Sequence, residues 1–255
     1  MRRHGCQKPK SLADDGTLRN MTLLDEAIEA SGGMDRWNRL KRFTLHLSID
    51  GALFSRLGQA GRFKDMVAEG YSQTQSVRFT GFTGPDKCGL YQPDCVSIES
   101  PEGEVLRSWH VPHRAFLDHA RDTGWDELHS LFFCGFSVWS YLTTPFLLAH
   151  PEVEAEELPP WHENDQLWRR LRAVFPPSVV THCPEQIFYF DAHGLQRRTD
   201  HELLGGRVAH YSWAHQAFCD IVIPTLRQSL MLRPDGVVIP RPALVDVEIF
   251  DALFE

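Results

Sequence analysis

The sequence predicts an α+β fold in which helices pack on one face of an antiparallel sheet. Three observations lead there. Runs of alternating apolar and polar residues recur along most of the 255-residue chain, as half-buried strands require. Turn residues separate these runs. Helical patterns fall in two places only, at the start and midway, so the order is helix, strands, helices, strands.

The opening MRRHGCQKPKSLADDG is polar and patternless, and residues 1–20 read as a disordered tail, with Met21 a candidate natural start. It lacks the apolar core of a secretory signal, so a cytoplasmic location is expected. Residues 21–255 are expected to form one domain. TLLDEAIEASGG is a short amphipathic helix. Thr22 caps it, Leu23, Leu24, Ala27 and Ile28 form its apolar side, and Gly32-Gly33 ends it. MDRWNRL adds a turn and leads into FTLHLSID, where Phe43, Leu45, Leu47 and Ile49 alternate with Thr44, His46, Ser48 and Asp50. FKDMVAEG, QSVRFTGF, CGLYQ, CVSIES and EVLRSWH continue as strands.

A helical insert is expected at about 112–149, in VPHRAFLDHARD and DELHSLFFCGFSVWSYL, with Pro145 limiting the second helix. Ser130–Ala149 has no charged side chain. It reads as a buried, helix-rich plug, with a transmembrane helix as the alternative, since a stretch apolar all round fits either. After Pro151 the strands resume in VEAEEL, LWRRLRAVF, EQIFYFD, LQRRTDHEL, RVAHYSWA, IVIPTLRQSLML and ALVDVEIF. Between them, Asp191-Ala192-His193-Gly194 suits a type I turn, Gly205-Gly206 a tight hairpin and Pro234-Asp235-Gly236 another turn. The acidic, Pro-interrupted EVEAEELPPWHEND reads as a solvated edge strand and loop.

Composition excludes several function classes. The formal net charge is −8 and the Lys/Arg cluster sits at the extreme N-terminus, so no basic stripe exists for nucleic acid. Cys6, Cys88, Cys95, Cys134, Cys183 and Cys219 show no C-x-x-C spacing and read as reduced thiols. No H-E-x-x-H or Cys/His box supports a metal. No Gly-rich phosphate loop supports a nucleotide cofactor, and GFSVW lacks the second glycine of a nucleophile elbow. Neither metal nor cofactor is expected.

The Gly-Gly after the first helix, the W-x-x-L of Trp37–Leu40 before a long first strand, the helical insert, and the strand series containing FYFDAHGLQRR, AHYSWAHQAF, IPTLR and LVDVEIF together resemble the LolA/LolB-like superfamily. The resemblance covers residues 22–255. It implies an unclosed half-barrel of antiparallel strands whose concave face is covered by helices and binds acyl chains or other hydrophobic ligands. Its carriers are exported, whereas the opening residues here suggest a cytosolic variant. The same architecture serves a cytosolic pigment-biosynthesis enzyme, so the resemblance implies either carriage or catalysis. A hydrophobic small molecule or lipid is the expected partner, with no nucleic acid and no stable membrane insertion.

Candidate site residues come from two regions. In HELLGGRVAHYSWAH, a loop at Gly205-Gly206 sets His201 directly opposite His210, on a face shared with Thr199, Leu203, Val208 and Ser212. Gln196, Arg198, Asp200, Tyr211, Trp213 and His215 fall on the other face, which reads as solvated, with Arg198 over Trp213. Two cavity histidines, an acid/base pair, or a partial metal site are all compatible with this pattern, with a nearby acid such as Asp220 as the alternative proton carrier. The aromatic set Phe132, Phe133, Phe136, Trp139, Tyr141 and Phe146, with Leu203 and Val208, would serve as core or line an apolar cavity.

Overall fold

The structure, a computed structural model, describes residues 21–117 and 123–255. The expected tail and the end of the first insert helix lie outside the described residues. Helix α1 (Leu23–Ala30) begins at Thr22, whose hydroxyl accepts the Asp25 N–H while the Asp25 carboxylate accepts the Thr22 N–H. This reciprocal cap satisfies two otherwise orphaned backbone donors. Helix α2 (Met34–Arg39) buries Trp37 and turns into β1 (Arg42–Asp50), which buries Phe43, Leu45, Leu47 and Ile49 as its alternation requires. A short α3 (Ala52–Arg56), which the strand and helix patterns did not signal, anchors Leu53 and Phe54 in the core.

Five strands follow as a meander: β2 (Phe63–Tyr71), β3 (Val77–Thr80), β4 (Cys88–Tyr91), β5 (Cys95–Glu99) and β6 (Val105–His110). The insert supplies α4 (Pro112–Leu117), α5 (Glu127–Thr143) and a 3-10 turn at Phe146–Ala149. A second meander runs through β7 (Glu154–Glu163), β8 (Gln166–Val174), β9 (Glu185–Phe190), β10 (Gln196–Leu203), β11 (Gly206–Phe218) and β12 (Ile221–Leu232). The two-residue β13 (Val238–Ile239) pairs with β12, and β14 (Val245–Phe254) ends the chain.

The fourteen strands of the described residues form one open antiparallel sheet, with spatial order β6-β5-β4-β3-β2-β1-β14-β12-β11-β10-β9-β8-β7 and β13 beside β12. The two meanders therefore meet through β14, which pairs with β1 on one side and β12 on the other. This is the α+β half-barrel with helices on one face. The acidic segment is the edge strand β7, and its register with β8 shifts between Leu158 and Trp161, across the two prolines.

Helix α5 is buried on all sides, which explains a stretch with no polar face. Asp126 caps it by accepting the Leu128 and His129 N–H groups at 3.0 and 3.1 Å. Gly135 lets it reach the sheet: a Cβ there would stand 2.2 Å from the Tyr91 ring on β4. No helix among the described residues is long and apolar enough to cross a membrane.

The β10–β11 hairpin departs from expectation by two residues. Leu203 pairs with Gly206, so the turn residues are Leu204 and Gly205, both with positive φ (48° and 73°), as a type I′ turn demands. His201 therefore lies opposite Val208, and Thr199 opposite His210. Because the shift is even, the two histidines stay on one face as diagonal neighbours. The other face is corrected more deeply. Arg198 is 2% exposed, held by Asp200 and Glu163 between aromatic rings, and its cation-π partners are Tyr189, Tyr211 and Trp161 rather than Trp213. Gln196 turns inward, because the β9–β10 register shifts between Gln196 and Arg198.

Candidate functional site

Cross-strand pairing on β10, β11 and β12 assembles a polar row beneath α5. Thr199 pairs with His210, His210 with Ser229, and Ser212 with Arg227. Partners directly opposite share a face, so Thr199, His201, His210, Ser212, Arg227 and Ser229 all point the same way. Two of these pairs are hydrogen-bonded: His210 Nδ1 to the Ser229 hydroxyl at 2.7 Å, and Arg227 Nη1 donating to the Ser212 hydroxyl at 3.1 Å. Helix α5 closes the row from above. The Tyr141 ring stacks on His210 with centroids 4.5 Å apart, and the Arg227 guanidinium lies 4.9 Å from the centre of the same ring. Arg227 Nη2 donates to the Tyr141 carbonyl at 2.7 Å, one of the last-turn carbonyls a helix leaves without an internal partner.

His182, on the loop between β8 and β9, extends the row outward. Its ring lies 4.3 Å from that of His201, which lies 6.2 Å from that of His210. His182 Nε2 faces the hydroxyls of Ser137 and Tyr141 at 3.1 and 3.3 Å. It lines two spaces at once. On one side is a chamber of about 20 Å³, bordered also by Gln196, Thr199, His201, His210 and Arg227. On the other is a cleft of about 590 Å³, bordered by Phe116, Phe133, Phe136, Phe175, Val179 and Leu203, within the range typical of small-molecule sites. Exposed Glu202 and Pro184 stand at its rim.

The electrostatics follow from burial. His201 is held down to about 4, and His182 and His210 well below the ordinary histidine range, because desolvation penalises the imidazolium; Arg227 adds to this at His210 and His201 at His182. All three are neutral at pH 7. Arg227 is pushed down to about 10 by burial and stays charged. It has no carboxylate partner among the described residues, and its Nε, both His201 ring nitrogens, His210 Nε2 and the Ser140 hydroxyl lack hydrogen-bond partners there. The chamber is thus a small positive pocket lined by unpartnered polar groups.

The other residues selected from the sequence separate by position. Phe133, Phe136 and Leu203 line the large cleft. Tyr141 lines the polar chamber. Trp139 and Phe146 border a separate space of about 560 Å³ beside Trp37, which stacks on Phe146 at 4.3 Å. Phe132 packs in the core against Tyr91 and Phe116, and Val208 is buried without bordering any of these spaces. Asp220 sits in the exposed β11–β12 turn, at the opposite end of β11 from the hairpin and away from the histidines. His215 is half-buried and held down to about 4 by burial and the Arg227 charge. The described residues contain no group of three or more potential metal ligands.

Arg227 and His182 were not singled out in the sequence. Strand alternation from Ile221 and Ile223 places Thr225, Arg227 and Ser229 inward, so Arg227 was within reach of the pattern. His182 lies in an irregular loop and carries no periodic signal.

No family model and no curated protein matches the sequence. Solved structures do. A LolA superfamily protein from Nitrosomonas europaea superposes with a TM-score of 0.51 at 11% identity, over 91% of this chain and 92% of that one. A protein domain from Vibrio parahaemolyticus assigned to outer membrane lipoprotein sorting gives 0.51 at 12% identity over the same shares. A DUF1329 family protein from Desulfovibrio piger gives 0.51 at 11% identity, again over 91% and 92%. At these identities the likeness establishes the shared fold.

Proposed function

We propose that this protein binds a hydrophobic small molecule or acyl chain in its half-barrel. The observation that carries the reading is the cleft of about 590 Å³ between α4, α5, the β8–β9 loop and the β10–β11 turn, walled by four phenylalanines. An apolar wall with polar groups at one inner end is the usual construction of a site for a mainly apolar ligand. Solved neighbours that include a LolA superfamily protein and a domain assigned to lipoprotein sorting agree with this reading through the fold.

Native mass spectrometry of freshly purified protein, paired with titration of a fluorescent fatty acid, tests it. A co-purifying apolar ligand or saturable probe binding is expected, with binding lost when Leu203→Trp fills the cleft. No ligand and no probe binding would refute the reading.

A second reading, a biosynthetic enzyme with histidine acid/base chemistry, draws on one observation: His201 is neutral, buried, and free of hydrogen-bond partners among the described residues. An unprotonated imidazole beside an apolar cleft can accept a proton from a bound substrate. Replacing His201 and His210 together by Gln tests this reading: turnover of any substrate found should be lost, and unchanged turnover would remove the two histidines from the mechanism.

A further inference from the structure

Among the described residues two arginines are buried, and only Arg198 has carboxylate partners. Arg198 is neutralised by Asp200 and Glu163. Arg227, 3% exposed, faces no carboxylate among the described residues and leaves its Nε unused. Burying a charge without a counter-charge is costly, and the Tyr141 carbonyl and ring offset only part of that cost. Around it both His201 ring nitrogens, His210 Nε2 and the Ser140 hydroxyl are also unpartnered among the described residues and belong to residues that border the same chamber. Each neutral imidazole has one N–H to give. A cation with several donors and no acid points to an anionic oxygen ligand.

Size narrows the ligand class. The chamber measures about 20 Å³, against roughly 10–15 Å³ for one water. That is room for about one or two small oxygens, which favours a carboxylate head over a bulkier tetrahedral phosphate or sulfate. His182 separates the chamber from the cleft and borders both, so a molecule filling the cleft past His182 brings its terminal group to the histidines and Arg227. The cleft rim carries the acid Glu202, which repels the same group and sets the orientation.

We infer that the ligand is a carboxylate-bearing amphiphile bound head inward, its apolar part in the cleft and its carboxylate in the chamber between Arg227, His201 and His210. The inference rests on the apolar-ligand reading above and adds the charge and orientation of the ligand.

Calorimetric titration of the full chain at pH 8 with dodecanoate, 1-dodecanol and dodecyl phosphate tests it. Dodecanoate is expected to bind about tenfold or more tightly than dodecanol. Arg227→Met should remove that preference while leaving dodecanol affinity within about twofold. The comparison on the unaltered protein stands even where Arg227→Met fails to fold. Equal affinity for acid and alcohol, or tighter alcohol binding, overturns the head-group site and leaves the apolar-ligand reading intact. The phosphate ester binding as well as dodecanoate overturns the carboxylate assignment. If none of the three binds, and an uncharged apolar dye also fails to bind, both readings fall together.

Discussion

The two buried arginines differ in what surrounds them, and stability should report the difference. Arg198 donates from Nε and Nη2 to the two Asp200 oxygens at 2.5 and 2.9 Å and from Nη1 to Glu163 at 2.6 Å. Its removal strands two largely buried carboxylates, so Arg198→Met should cost about 3–5 kcal/mol. Arg227→Met removes a buried charge that no carboxylate among the described residues neutralises; its unfolding free energy should stay within about 1 kcal/mol of the unaltered protein. Urea unfolding of the two variants checks the contrast, and an equal loss would mean that Arg227 has a counter-charge after all. The histidines set a pH dependence. Burial holds His201 down to about 4 in the folded chain, against an ordinary histidine value of about 6.5, and lowers His182 and His210 in the same direction. Between these values the unfolded chain binds protons that the native state does not, so stability rises with pH through about 4 to 6.5 and then levels off, by up to about 1.4 kcal/mol per pH unit for each histidine. In His201→Phe, urea midpoints between pH 5.0 and 6.5 should climb less steeply. An unchanged slope would show that His201 protonates freely in the folded protein.

Among the elements, α5 depends most on close approach. Gly135→Ala sets a Cβ against the Tyr91 ring at 2.2 Å and Gly89 meets Leu131 of the same helix in a similar way, with a Cβ there 2.6 Å from Leu131 Cδ1. Overpacking at such a contact costs about 1–3 kcal/mol. Gly135→Ala should therefore lower stability by that amount, and Tyr91→Leu combined with it should recover part of the loss, a coupling that a double-mutant cycle of denaturant unfolding reads directly. An additive result would mean that the helix and β4 are not in contact through these residues. Elements whose evidence is local were legible in the sequence: the Thr22 cap, the alternation of β1, the extent of α5 between Asp126 and Pro145. What failed was nonlocal or conformationally unusual. A leucine at φ 48° takes the first I′ position at Leu204, where turn rules favour Asn, Asp or Gly, and that moved the hairpin register by two. Ala214, at φ 53°, interrupts β11 where the strand pattern stopped, although the strand continues to Phe218. Parity survives an even slip, which is why His201 and His210 could be set on one face although their direct opposition was wrong. Arg198 reads as solvated because charge usually marks the wet side, and nothing local signals that Glu163, 35 residues away, neutralises it.

At the level of the whole molecule, the sheet is two meanders held together by its last strand. The strands β1 and β12 are both bonded to β14, and β14 contributes Val245, Val247, Ile249, Ala252 and Phe254 to the buried face. Its end is tied back to the start of the sheet, with Glu255 N–H donating to the Arg42 carbonyl and Arg42 N–H to the Glu255 carbonyl, each at 3.0 Å. Contacts between segments this distant in sequence are established late, after the entropy of closing the long loop has been met. Without β14, the facing edges of β1 and β12 lose their hydrogen-bond partners, and the apolar residues beneath α5 lose a wall. Deleting residues 245–255 should therefore abolish cooperative unfolding of the chain as a whole, with a loss of near-UV circular dichroism and a gain in dye binding to exposed apolar surface. A synthetic peptide of residues 244–255 added in excess should restore the near-UV signal, because the missing strand fits between two edges that the rest of the chain still presents. A truncated chain that keeps its near-UV spectrum and a single cooperative transition would show instead that each meander closes its own core, with β14 only covering the seam.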